Sequence, residues 1–360
     1  MSTETLAQQS TDSLAQQWAQ KYVQNLELSE SDPILSDRLD LARVVSQAGR
    51  EETADKLLNA LRFVSAQAWN KTEMLLAKEV RRHQIDPELI NPWDIAADSF
   101  RIYDKVLGVY TQQAKSRSLS VSVTLGGGNS STPACEKTIE ICTDRVEPSR
   151  LSVVIGSEIG KIRHKYTVND PRLIGFVSMQ FHYTSQMLLE LLSPLEQMLV
   201  SEYFKVIDDH LYMPLQRASN AAADREYTSP VLQAVHQWLP LGTDIATQIC
   251  QQILQEYPLY RSHTGKLDNA QVQISSIRDV EMFQVYLWVC ALEGSISVVQ
   301  EELFPLCVML YPPLKVDWDL VRRLVFLLEQ HVKLNLRPKS FSVFEPYFLS
   351  LAKMFSTDVL

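Results

Sequence analysis

Residues 170–192 read DPRLIGFVSMQFHYTSQMLLELL, and the spacing within this stretch decides the fold class. Asp170-Pro171 is a helix start signal, because a proline at the first helical position loses only an N–H that would have no partner there. Leu173, Ile174, Phe176, Val177, Phe181, Leu188 and Leu192 then recur with the helical period. Pro194 should kink or break the run, and Leu195–Leu211 resumes it up to Pro214. Gln180, His182 and Tyr183 stand inside this apolar helix, where each needs a hydrogen-bond partner if buried.

The same period extends in both directions. Toward the C-terminus it predicts helices around 231–239, 243–257, 278–293, 296–310, 318–334 and 341–356, punctuated by Pro240, Pro258, Pro305, Pro312-Pro313 and Pro338. The polar stretch 218–229 reads as a mobile linker. Toward the N-terminus, Leu6, Leu14, Trp18, Tyr22, Val23 and Leu26 fit one helix face. A second helix is expected after a cap at Ser31 or Asp32, ending at Gly49 as a C′ residue. A third runs from Glu51-Glu52 to about His83, and a fourth follows Pro92 and carries Ile95, Tyr103, Val106 and Tyr110.

Between residues 116 and 169 the period changes to two. Leu119, Val121, Val123 and Leu125 alternate with small polar residues, and Lys137–Thr143 alternates through Ile139 and Ile141. Gly126-Gly127-Gly128-Asn129 begins a loop by composition. The β-branched run Leu151–Ile155 reads as a third strand. The expected fold is therefore mainly α: a multi-helix body in two lobes, 1–115 and 170–360, with an antiparallel β insert of about three strands at 116–169.

Composition narrows the function. The chain has 360 residues, 46% apolar and 21% charged, which argues against wholesale disorder. A formal net charge of −9 disfavours general nucleic-acid binding. The apolar stretches are too short, or too charged, for a membrane span. The N-terminus lacks the basic and apolar regions of a signal peptide, so a cytoplasmic location is expected. The five cysteines form no C-x-x-C and read as inert apolar thiols.

Tests for chemistry are mostly negative. Gly156-Ser157-Glu158-Ile159-Gly160-Lys161-Ile162 falls one residue short of a phosphate loop and lacks its hydroxyl. No histidine has an acid three residues before it, as a di-iron bundle requires. Asp208-Asp209-His210 brings three possible ligands together, but adjacent helical residues point apart, and a solvated acidic helix end is the expectation. Ser350-Leu351-Ala352-Lys353 matches S-x-x-K without its companion elements, and Lys353 is expected on a wet helix face. No cofactor and no metal is implied.

One region carries a sharper expectation. Lys161, Arg163, His164, Lys165 and Arg172 cluster in an acidic chain, followed by Gln180 and His182. Arg163 and Arg172 could clamp a carboxylate or phosphate bidentately at the junction of the insert and the helical body. The structural alternative is a solvated basic turn with Gln180 and His182 satisfied by backbone. The basic, aromatic segment 315–353 is a second candidate for docking an acidic protein, against the alternative that its aromatics are core.

The function these readings favour is a non-enzymatic interaction protein, a regulatory adaptor or assembly factor with a protein partner, and a homo-oligomer is possible. One alternative is a sensor that binds a small apolar or anionic ligand between helices. Another is an enzyme whose site assembles only in three dimensions.

Overall fold

A computed structural model of the chain describes residues 13–22, 26–29, 38–125 and 135–360. Helices dominate it, as the period predicts. The N-terminal helix α1 (Leu14–Ala19) passes through a 3-10 turn, Gln20–Tyr22, into strand β1 (Leu26–Ser29). The expected single face from Leu6 to Leu26 is thus cut short, and Leu6 and Val23 lie outside the described residues.

Helix α2 (Arg38–Val45) ends before Gly49, and Ser46 caps α3 (Gln47–Arg82) by accepting the Gly49 N–H. Gly49 is therefore not a C-terminal cap. It lies in the first turn of α3, where a Cβ would meet the Arg43 carbonyl oxygen at 2.2 Å. The proposed caps Ser31 and Asp32 lie outside the described residues. Helix α3 buries Leu57, Leu61, Val64, Ala68 and Leu76, a stripe at helical spacing that packs against α4 (Pro92–Thr111) and α6 (Leu173–Leu189). Each leucine so buried contributes about 1.5–3 kcal/mol relative to exposure.

Two of the expected strands form an antiparallel ribbon, β2 (Gln113–Leu125) with β3 (Cys135–Arg145), in register through Leu119–Ile141 and Val121–Ile139. Leu119, Val121 and Ile141 are buried. The loop 126–134 lies outside the described residues. Strand β1 pairs parallel with β2 on its other side.

The third expected strand is a helix. Leu151–Ile155 belongs to α5 (Pro148–Thr167), with Pro148 in its first turn. Leu151, Ile155, Ile159, Ile162 and Tyr166 line its buried face, whereas Val153 and Val154 are about half exposed. The β-branched run is one turn of a longer amphipathic pattern, and the length of the pattern outweighs local strand propensity. The β-structure is accordingly smaller than the expected insert, and α5 belongs to the helical body, packed against α1, α6 and α7 (Pro194–Tyr212).

Pro194 does break the long run, with Ser193 and Glu196 forming a capping box around it. The expected linker is instead partly helical: α8 (Leu215–Ala223) buries Leu215, Ala218 and Ala222. The remaining helices are α9 (Pro230–Trp238), α10 (Gly242–Glu256), α11 (Ala270–Glu293), α12 (Phe304–Leu310, preceded by a π-helical turn at Val299–Leu303), α13 (Trp318–Asn335) and α14 (Pro338–Met354). Buried apolar side chains from Leu14 to Phe355 form one continuous cluster. Among the described residues, no helix is long and apolar enough to cross a membrane.

Candidate functional site

The expected basic cluster does not assemble. On α5, Lys161 and His164 lie on the exposed face. Lys165 is exposed and reaches back to Asp98 at 2.9 Å. Arg163 points the opposite way and is buried, donating to the Leu211 carbonyl and to the Tyr286 hydroxyl (2.6 Å), and pairing with Glu302. Arg172 holds Asp170 through Nε at 2.8 Å and Nη2 at 2.6 Å, and donates to the His83 carbonyl. The two guanidiniums thus serve separate internal partners rather than one anion. Gln180 is fully buried and donates to the Ser65 carbonyl at 2.9 Å.

The triplet Asp208-Asp209-His210 is not solvated. Asp209 is fully buried and accepts from Tyr22 at 2.8 Å, with Lys21 at 3.1 Å and Lys205 at 3.2 Å. Burial raises its pKa, but Lys205, Lys21 and the Tyr22 hydroxyl outweigh that and hold the carboxyl well below its usual range. Lys21 also reaches Glu281 at 2.8 Å, so α7 and α11 are tied to the N-terminal segment. His210 faces Ser152 on α5 at 2.8 Å. The three side chains diverge as adjacent helical positions must, and no group of three metal-ligating side chains occurs among the described residues. In the C-terminal segment, Phe341, Phe344, Phe348 and Phe355 are core, and the Ser350 hydroxyl donates to the Pro346 carbonyl of its own helix.

One expected residue, His182, lies at a feature the sequence did not reveal: a cavity of about 440 Å³, open on one side, lined by six helices and two turns. Met179, His182 and Tyr183 of α6 form one wall, with Leu306, Cys307 and Leu310 of α12 beside them. Thr247, Cys250 and Leu254 of α10 face Leu320, Val321 and Leu324 of α13. Helix α11 contributes Arg278, Asp279 and Met282, and Tyr212 ends α7. Two turns complete the rim, joined by hydrogen bonds from the His263 N–H to the Leu314 carbonyl (2.9 Å) and from the Tyr260 hydroxyl to the Lys315 carbonyl (2.7 Å). Lys315 has φ 55°, a left-handed conformation that lets the chain reverse after Pro312-Pro313.

The charged groups Arg278 and Asp279 lie on the α7–α11 side, whereas uncharged polar side chains such as Gln186, Thr247 and Ser262 occur elsewhere around the lining. The Arg278 guanidinium lies over the Tyr212 ring at 3.6 Å and contacts Asp208 at 3.3 Å. Its Nε has no hydrogen-bond partner among the described residues, and neither does Asp208 Oδ1. Burial disfavours the Arg278 charge, but Tyr212, Asp279 and Asp208 more than compensate and raise its pKa. Asp279 approaches Arg278 only to 3.8 Å. Burial pushes the Asp279 carboxyl upward, against smaller opposing effects of Arg278 and His182. The thiols are poor nucleophiles: burial pushes Cys250 up to about 12 and Cys307 higher still.

Sequence reasoning did place Cys250 and Cys307 in apolar helical patterns, but it could not see that α10 and α12 meet around a void. The available signal was the charged pair Arg278-Asp279 just ahead of the largely apolar run 280–292. Comparison of the chain with protein-family models, curated proteins and solved structures finds no match.

Proposed function

We propose that the chain binds a small, largely apolar molecule in the cavity between α6, α10, α11, α12 and α13, as a carrier or sensor. The observation that carries this reading is the cavity itself. Its volume of about 440 Å³ falls in the range of small-molecule sites, about 300–1,000 Å³, with many apolar side chains in its walls and the charged pair Arg278 and Asp279 at one corner. Such a corner fixes orientation while the apolar wall supplies most of the binding free energy. The thiols are suppressed rather than activated, which favours binding over covalent catalysis.

The test is titration calorimetry with 1-decanol on the wild-type chain and on Leu324→Trp, whose added indole would fill the space. Saturable binding by the wild type, weakened about tenfold or more in the variant at unchanged thermal stability, is the expected result. Equal affinity in both proteins would remove the cavity from consideration.

Protein docking is the second reading. It is favoured by Phe63 and Met74, which are 67% and 83% exposed on the outer surface of α3. They lie eleven residues apart, about three helical turns, and so share one face.

A further inference from the structure

The polar corner holds an imbalance that names the ligand's head group. Asp208 and Asp279 place two carboxylates beside the single guanidinium of Arg278. Asp208 is the nearer to Arg278, at 3.3 Å, and the guanidinium also lies on the Tyr212 ring. Asp279 is left with the weaker pairing. At 3.8 Å it is outside hydrogen-bond reach of Arg278, and no described residue donates to its carboxylate. The side chain lines the cavity and is 26% exposed. A carboxylate in such a place needs a donor, and a cationic donor is worth more than a neutral one.

We propose that the cavity selects an alkyl or aralkyl amine, whose ammonium group donates to Asp279 while its apolar body lies between α10, α12 and α13. This inference rests on the cavity reading above and adds the chemical class of the ligand. His182 and Arg278 are the other basic groups on this wall, and His182 lies 3.6 Å from Asp208. The charge of Arg278 is therefore directed to Asp208, whereas Asp279 is the acid available to a newcomer. Tyr183, Tyr212, Tyr260 and Tyr311 supply aromatic surface around the same space, and aromatic faces favour a cation over an anion. An anionic head would instead be brought against the carboxyl groups of Asp208 and Asp279, with the one guanidinium already facing Asp208.

The experiment compares decylamine, 1-decanol and decanoic acid at pH 7 by calorimetry, on the wild type and on Asp279→Asn. The amine should bind the wild type about tenfold or more tighter than the alcohol, and the acid weakest of the three. Asp279→Asn should remove the preference for the amine and keep the affinity for the alcohol, which also shows that the variant is folded and its cavity intact. Equal binding of amine and alcohol to the wild type, or tightest binding of the acid, would overturn the amine assignment and leave the cavity reading standing. Failure of all three compounds to bind would overturn both. If Asp279→Asn loses the alcohol as well, Asp279→Glu decides: restored preference for the amine supports the assignment, and its absence overturns it.

Discussion

His210 shows how a single residue can carry a solution property. Its ring is packed against Gly156, where a Cβ would stand 3.0 Å from Cε1, and its Nε2 meets the Ser152 hydroxyl at 2.8 Å. A larger residue at 156 would press on the ring, which would have to shift by a few tenths of an ångström. Burial lowers the imidazole pKa from 6.5 to about 4. The folded state therefore binds fewer protons than the unfolded state between those values. Stability is full above about pH 6.5 and falls as the pH drops toward 4, by about 3 kcal/mol for a shift of this size. His236 and His331 are lowered by burial as well and act in the same direction. Urea unfolding from pH 7.5 to 4 should show this loss, and His210→Gln should flatten the profile across that window. A variant with the wild-type slope would show that His210 does not titrate with unfolding. The sequence offered His210 only as one of three possible ligands. Neither its partner on α5 nor its burial was legible, because both depend on a neighbour 58 positions away.

At the scale of elements, the corner between α2 and α3 depends on atomic clearance. Ser46 caps α3, and Gly49 lets its first turn lie against the Arg43 carbonyl. Gly49→Ala would force backbone apart, since a Cβ at 2.2 Å from that oxygen cannot be accommodated by a side-chain shift. We expect a loss of about 1–3 kcal/mol in denaturant unfolding, typical of overpacking, even though alanine is the better helix former. An unchanged or raised midpoint would contradict this corner geometry. The sequence marked Gly49 as special but assigned it the wrong task. A glycine required for close approach and a glycine required for a left-handed cap look alike in one dimension. The misreading of Leu151–Ile155 has a related cause. Five residues cannot separate strand from helix, whereas the spacing of Leu151, Ile155, Ile159 and Ile162 can.

For the molecule as a whole, the continuous core fixes which surfaces are left over. The basic residues once grouped by sequence are distributed among internal pairs, Arg163 with Glu302, Arg172 with Asp170 and Lys165 with Asp98. Phe63 and Met74, on one outer face of α3, are apolar side chains that this packing leaves exposed. If it docks a second copy of the chain, sedimentation equilibrium should show a reversible dimer that Phe63→Glu combined with Met74→Glu converts to monomer. A wild-type chain that stays monomeric across the accessible concentrations would discard that interface. The amphipathic period, the proline positions and the alternation in 118–125 and 137–143 by themselves determined a mainly helical chain with an antiparallel ribbon, because those signals are local and repeat over many residues. Tertiary structure alone decided that α5 joins the helical body, that Arg163 turns inward, and that α10, α11 and α13 line a cavity with Arg278 and Asp279 at one corner. These are outcomes of how distant helices pack, and residues that share a void carry no common spacing along the chain.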